Sequence, residues 1–166
     1  MHRTLMILAA AALGAGAIGA VFQNIETDRL RTSLGELEIA FVGHASLYFT
    51  FEGKVVHVDP CSSEGDYAAS PKADLILITH EHGDHLDPAT VQRLRKPGTE
   101  VVVSEACAGK IPDGVVMKNG DRRSIQGFEV EAVQETLQLL PVAFDGLLVA
   151  ALHDLLEAVQ QHPQVV

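Results

Sequence analysis

Thr79 to Asp87 reads T-H-E-H-G-D-H-L-D, which sets three imidazoles and a carboxylate at His80, His82, Asp84 and His85. Neutral imidazole and carboxylate are first-choice ligands for zinc and similar borderline divalent ions. The segment directly follows the apolar run Leu75-Ile76-Leu77-Ile78, so a buried strand ends where the ligand-type residues begin. A strand ending in a tight loop, with Gly83 between the two ligand pairs, aims all four side chains at one point. The spacing excludes the helical H-E-x-x-H motif, which needs its second His four residues after the first; position 84 is Asp. The bland alternative is a surface loop that carries histidines and no metal, and four ligand-type side chains in phase with a strand end weigh against it.

The H-x-H-x-D-H pattern resembles the signature of the metallo-beta-lactamase-fold hydrolases, in which the two halves of the motif serve two metals. The resemblance implies His80 and His82 for the first metal, and Asp84 and His85 for the second. Further matches are Phe41-Val42-Gly43-His44-Ala45-Ser46, Gly53-Lys54-Val55-Val56-His57-Val58-Asp59-Pro60 and Pro71-Lys72-Ala73-Asp74. Together they resemble the branch that includes ascorbate-6-phosphate lactonase-like proteins and a related phospholipase D, over about Leu37 to Val133. The implied fold is α/β, the N-terminal half of an αββα sandwich.

The same resemblance implies a divalent cofactor, with Zn2+ as the default, two ions in an intact family member, and fewer or none here. His/Asp sites also accept manganese or iron. Two metals would polarise a scissile group and lower the pKa of a bridging water, so the implied activity is hydrolysis of an ester, lactone, amide or phosphodiester through a metal-bound hydroxide. The implied substrate is a small molecule or lipid-like. Asp84, the implied catalytic residue, would ligate the second metal and orient the nucleophile. Asp59 would support the metal loop from behind, the alternative being a turn-forming Asp before Pro60. His44 faces the active-site mouth or is a simple turn residue. His57, inside an apolar strand, reads as a hydrogen-bonded core or surface histidine rather than a ligand.

Twelve Lys and Arg face 22 Asp and Glu. No basic patch marks a nucleic-acid groove, and a field of this sign slows encounter with polyanions, which disfavours nuclease activity. The 166 residues and 47% hydrophobic content suit one domain with a packed core. Met1-His2-Arg3 and the apolar run Leu5 to Val21 resemble a secretory signal peptide over residues 1–19, with Ala17 and Gly19 at minus three and minus one of a cut before Ala20. This implies a secreted or periplasmic protein with no stable membrane span. The alternative is an uncleaved N-terminal membrane anchor, since the run approaches the minimum of about 17 residues for a spanning helix. Cys61 and Cys107 are candidates for pairing in an oxidising compartment, and Cys61, after the Asp59-Pro60 turn, for a place near the metals.

After a lead-in over 20–35, strands are expected over Glu36–Val42, Ala45–Phe51 and Lys54–Val58, with Glu52-Gly53 as the hairpin turn between the latter two. A Ser/Gly/Asp/Pro-rich loop follows, Ser62 to Pro71, then the strand Asp74–Thr79 that delivers the metal loop. Asp87 caps a helix that has Pro88 at its first position and runs to Lys96. Glu100–Ser104 and Val115–Lys118 are further strands on either side of a helical turn at Glu105–Lys110, and Phe128–Val133 is the last strand of the family-like domain, 36–133.

Composition shifts near Gln134. From Ser124 to Val166 there is no Lys or Arg, and the family's downstream His, bridging Asp and final His are not recognisable. Residues 134–166 form a divergent tail, as a reading-frame change or truncation in an ancestral gene would produce. Within it, Gly146–Gln161 reads as an amphipathic helix, with Leu147, Leu148, Ala151, Leu152, Leu155 and Val159 on one face and His153 and Asp154 on the other. Two functional readings stand: a metal-dependent hydrolase, and a non-catalytic relic or metal-binding module that self-associates through the exposed sheet edge and the apolar tail helix, since half of a layered fold leaves one sheet face needing cover.

Overall fold

A strand covered on both faces buries every residue along it, and Leu75–Ile78, four consecutive apolar residues, is built that way. In this computed structural model, which describes residues 25–133 and 148–149, all four are fully buried. Leu75 and Leu77 point into one hydrophobic cluster, and Ile76 and Ile78 into the other. A strand of this kind belongs at the centre of a partly parallel sheet.

That sheet has seven strands in sequence order: β1 (Glu26–Thr32), β2 (Gly35–Gly43), β3 (Ser46–Phe51), β4 (Lys54–Val58), β5 (Leu75–Ile78), β6 (Glu100–Val103) and β7 (Val115–Val116). Strands β1 to β4 pair antiparallel, and β4 to β7 parallel. A second sheet contains β8 (Arg122–Ile125), β9 (Phe128–Val133) and β10 (Leu148–Val149). It packs on the first through Ile125, Val130 and Ala132, which join Leu37, Phe49, Val56, Leu77 and Val102 in one cluster. Phe49 and Phe128 meet edge to face across the layers, ring centroids 6.1 Å apart. The opposite face of the large sheet is covered by α1 (Pro88–Leu94), through Val91 and Leu94, and by Tyr67, Cys107 and Ile111. The layers are therefore helix, sheet, sheet, as expected for the N-terminal half of an αββα sandwich.

Helix α1 starts where its sequence dictates. Asp87 accepts hydrogen bonds from the Ala89 and Thr90 backbone N–H groups, and Pro88 occupies the first turn. At the other end Lys96 pairs with Asp74 at 2.9 Å. Asp74 also accepts from the Val55 N–H at 3.0 Å, which ties the start of β5 to β4 and to the helix.

Several sequence expectations change. The lead-in contains β1, an exposed polar edge strand fixed by its register with β2, and β8 is also present; neither Glu26–Thr32 nor Arg122–Ile125 shows apolar alternation. Leu148–Val149 pairs antiparallel with β9, so the expected amphipathic helix does not hold at these two positions; its remaining residues, with His153 and His162, lie outside the described residues, as does the leader over 1–19. The outer face of β8 and β9 presents Arg122, Ser124, Glu129 and Glu131, with Arg122 and Glu131 paired at 2.8 Å, so this face is polar rather than apolar. Cys61 and Cys107 are both buried free thiols. Among the described residues no helix is long and apolar enough to cross a membrane.

His57 is a core histidine. It is fully buried on β4 between Tyr48 and Tyr67, its Nε2–H donating to the Pro71 carbonyl at 3.0 Å. Burial lowers its pKa to about 4, against a smaller opposing effect of the Pro71 bond. The folded state therefore holds fewer protons than the unfolded chain between pH 6.5 and 4, and stability is lost as pH falls through that window, by up to about 3 kcal/mol. Urea midpoints recorded from pH 7 to pH 4.5 should fall in the wild type, and in His57→Phe much of that decline should be absent.

Candidate metal centre

In an open sheet with parallel strands, ligand-binding groups collect at the carboxyl ends of those strands. The carboxyl end of β4 is Asp59, that of β5 is Thr79-His80, and the antiparallel β2–β3 pair adds its connecting turn, His44-Ala45, at the same edge. The sheet order thus gathers residues 44, 59 and 79–85 at one edge.

Asp59 is the keystone of this edge. It is 1% exposed, its backbone is left-handed (φ 43°), and its N–H donates to the Leu77 carbonyl at 2.9 Å. Ser46 Oγ donates to its carbonyl at 2.6 Å. Its carboxylate accepts from the Thr79 N–H at 2.8 Å, from Thr79 Oγ1 at 2.6 Å and from His85 Nδ1 at 2.8 Å. A carboxylate only accepts, so His85 carries its proton on Nδ1. The Thr79 hydroxyl spends its hydrogen on Asp59 and must accept from His80 Nδ1, 2.9 Å away. Both imidazoles are thereby held in the tautomer whose Nε2 keeps a free lone pair, the form a metal requires.

The structure brings His80, His82 and His85 together, with ring centroids 4.6 Å apart for His80–His82 and 3.8 Å for His80–His85. His80 and His85 are half-buried, whereas His82, Asp84 and His44 are exposed. Burial, aided by the neighbouring His85, lowers the His80 pKa, which keeps that ring neutral. Asp84 is held below the ordinary carboxylate range first by its own backbone N–H, against an opposing effect of burial, and then by His85, His44 and His82. Its carboxylate turns towards His44 Nε2 at 3.3 Å and His85 Nε2 at 3.9 Å. The donor set and its protonation states fit a borderline divalent cation.

The loop itself is a helical turn. The His85 and Leu86 N–H groups donate to the His82 carbonyl, and Lys110 Nζ donates to the Glu81 carbonyl at 3.1 Å. Gly83 plays no special part in this turn, for a side chain there would meet nothing within 4 Å. The glycine that matters is Gly43, where an added Cβ would lie 2.5 Å from the Glu64 carbonyl oxygen. It lets the 61–67 loop press against the turn bearing His44, itself left-handed at φ 47°. Cys61 lies under the motif, its thiol 3.3 Å from the Gly83 carbonyl. Asp87 adds a further tie by accepting from Ser62 N and Ser62 Oγ; these bonds and those from Thr90 outweigh burial and hold its carboxyl well below its usual range. Sequence reasoning overlooked Thr79, whose only signal was its place before His80, and Ser46.

Comparison with known proteins identifies the superfamily. The Beta-lactamase superfamily domain matches residues 38–143, and the chain belongs to that superfamily. The match extends past Val133, the end of the resemblance carried by the motifs. A metal-dependent hydrolase of Flavobacterium johnsoniae is 41% identical over 75 residues, 42% of this chain and 32% of its own. One from Methanopyrus kandleri is 35% identical over 105 residues, 60% of this chain and 45% of its own. Among solved structures, a metal-dependent hydrolase of Parabacteroides distasonis is 42% identical with a TM-score of 0.63, over 69% of this chain and 54% of that one. A diiron beta-hydroxylase of Streptomyces venezuelae shares the fold alone, at 22% identity and a TM-score of 0.50, over 64% of this chain and 26% of that one. The chain spans about half or less of the length of these relatives.

Two outcomes are expected from this geometry. In Asp59→Asn the amide nitrogen would face the Thr79 hydroxyl and His85 Nδ1–H, so His85 should shift its proton to Nε2. Imidazole 15N spectra should register the change, with zinc affinity about 10- to 100-fold weaker. Gly43→Ala should cost about 1–3 kcal/mol in urea denaturation, while Gly83→Ala should stay within about 0.5 kcal/mol of wild type.

Proposed function

We propose that the chain is a metal-dependent hydrolase acting on an ester, lactone or phosphodiester in a small or lipid-like substrate. The observation that supports this best is the Asp59–Thr79 scaffold, which fixes two imidazoles of the motif in the metal-ready tautomer. The relatives from Flavobacterium johnsoniae and Methanopyrus kandleri are themselves described as metal-dependent hydrolases.

In this reading His80 and His82 hold one divalent cation, and Asp84 and His85 hold the other, with Zn2+ the default. The bound metal supplies Lewis-acid polarisation and a lowered pKa for water. The protein's own work is orientation. Asp59 keeps His85 from rotating, Thr79 does the same for His80, and the exposed Asp84 carboxylate accepts a hydrogen bond from an attacking water. The acidic chain, 22 carboxylates against 12 basic residues, favours substrates of low negative charge over nucleic acid. The apolar run Leu5 to Val21 supports export, and hence work outside the cytoplasm.

Elemental analysis after zinc reconstitution and dialysis tests the assignment. The double variant His82→Ala/His85→Ala should lose its bound zinc, while its melting temperature falls by only a few degrees. His82 is exposed, and Asp59 keeps both Thr79 donors when His85 is removed. Zinc content equal to wild type would overturn the assignment.

A further inference from the structure

We infer that His44 is a metal ligand, and that His44, Asp84 and His85 form a divalent-cation site complete in three protein donors without any residue beyond Val133. The inference rests on the two-cation reading above and deepens it by naming a donor outside the motif.

Two overlapping groups of donors surround His85: Asp59 with His80 and His85, and His44 with Asp84 and His85, the donor atoms of each lying within 4.8 Å of one another. His85 has one free lone pair, on Nε2, because Nδ1–H is given to Asp59, so it can serve only one of these groups. The Asp59 carboxylate already accepts three hydrogen bonds. Oδ2, the carboxylate oxygen that faces His85, accepts from both the Thr79 hydroxyl and the His85 Nδ1–H, so a cation on that oxygen would have to displace one of the contacts that hold both rings in place. The first group is thus a hydrogen-bonded scaffold, and the lone pair of His85 is left for the second.

That second group has the composition and spacing of a cation site. Two imidazoles and one carboxylate are a recurrent face-capping set for borderline divalent metals, leaving positions open for water and substrate. Donors about 2.0–2.2 Å from a common metal lie roughly 3.3 Å apart in a tetrahedral arrangement. Asp84 Oδ2 is 3.3 Å from His44 Nε2 and 3.9 Å from His85 Nε2. The His44 ring already stands edge-on to His85, centroids 5.2 Å apart at 69°. The two outer donors are half-exposed, their side chains 54% and 50% accessible, so an ion enters from solvent and small rotations close the remaining gap.

His44 is also held there by its backbone. Its left-handed conformation and the contact of Gly43 with the Glu64 carbonyl aim the turn at the loop carrying Asp84, which is 40 positions away in sequence. His80 and His82 remain for the other cation.

Cobalt(II) titration followed by its ligand-field absorption tests this on the full chain, in wild type, His44→Asn and His44→Asp. Both substitutions tolerate a left-handed backbone, and they differ in whether the side chain is a carboxylate ligand. Circular dichroism establishes that each is folded. His44→Asn should lose one binding phase, or weaken it at least tenfold, with the remaining phase unchanged; His44→Asp should retain both. Equal affinities and spectra in wild type and His44→Asn would overturn the role of His44 while leaving the motif's own metal binding intact. Absence of cobalt binding in the wild type would overturn the two-cation reading itself.

Discussion

A carboxylate with almost no access to water, Asp59, satisfies three donors at once, and the arrangement of the sheet edge follows from that requirement. An acid left without partners at this depth would be strongly destabilising. Its partners therefore have to be delivered, and they come from the next parallel strand: Thr79 at the end of β5 and His85 one turn further on. The same bonds that make the buried charge tolerable set the proton positions of His80 and His85, so stability and chemical readiness are two results of one interaction.

The sheet makes that delivery simple. Each of the seven strands lies beside its predecessor, and the change from antiparallel to parallel pairing occurs at β4, the strand ending in Asp59. At this change the β2–β3 turn and the β4 and β5 ends converge, which is how His44 comes to face Asp84. The helix layer and the second sheet supply apolar cover on the two faces, and the polar outer surface of β8 and β9 is compatible with solvent.

Much of this was legible in the sequence because several segments announce themselves by one physical rule. Leu75–Ile78, apolar throughout and followed by a polar loop, reads as a doubly covered strand, Asp87-Pro88 as a helix start, and the H-x-H-x-D-H run as a metal loop. Other parts were not legible, for equally physical reasons. The strands Glu26–Thr32 and Arg122–Ile125 are polar and lie towards sheet margins, so their conformation comes from pairing and not from an apolar face. Thr79 looks unremarkable until its hydroxyl is seen between Asp59 and His80. Gly83 looked structural by its place in the motif, whereas Gly43 is the one whose missing side chain makes room for a carbonyl. Leu148 fits an apolar helical stripe on paper, and with Val149 it pairs with β9 in the fold.

The sequential order of the large sheet also bears on how the chain is made. Neighbouring strands in space are neighbours in sequence, so the contacts that assemble the site close loops of 20 to 40 residues, and none of them waits on the second sheet. Every group at the sheet edge described above, from His44 to His85, lies in one contiguous stretch, and β6, the far neighbour of β5, ends at Val103. During synthesis the edge can therefore form vectorially, before β8 and β9 have left the ribosome, with the second sheet closing over Phe49 and Leu77 afterwards.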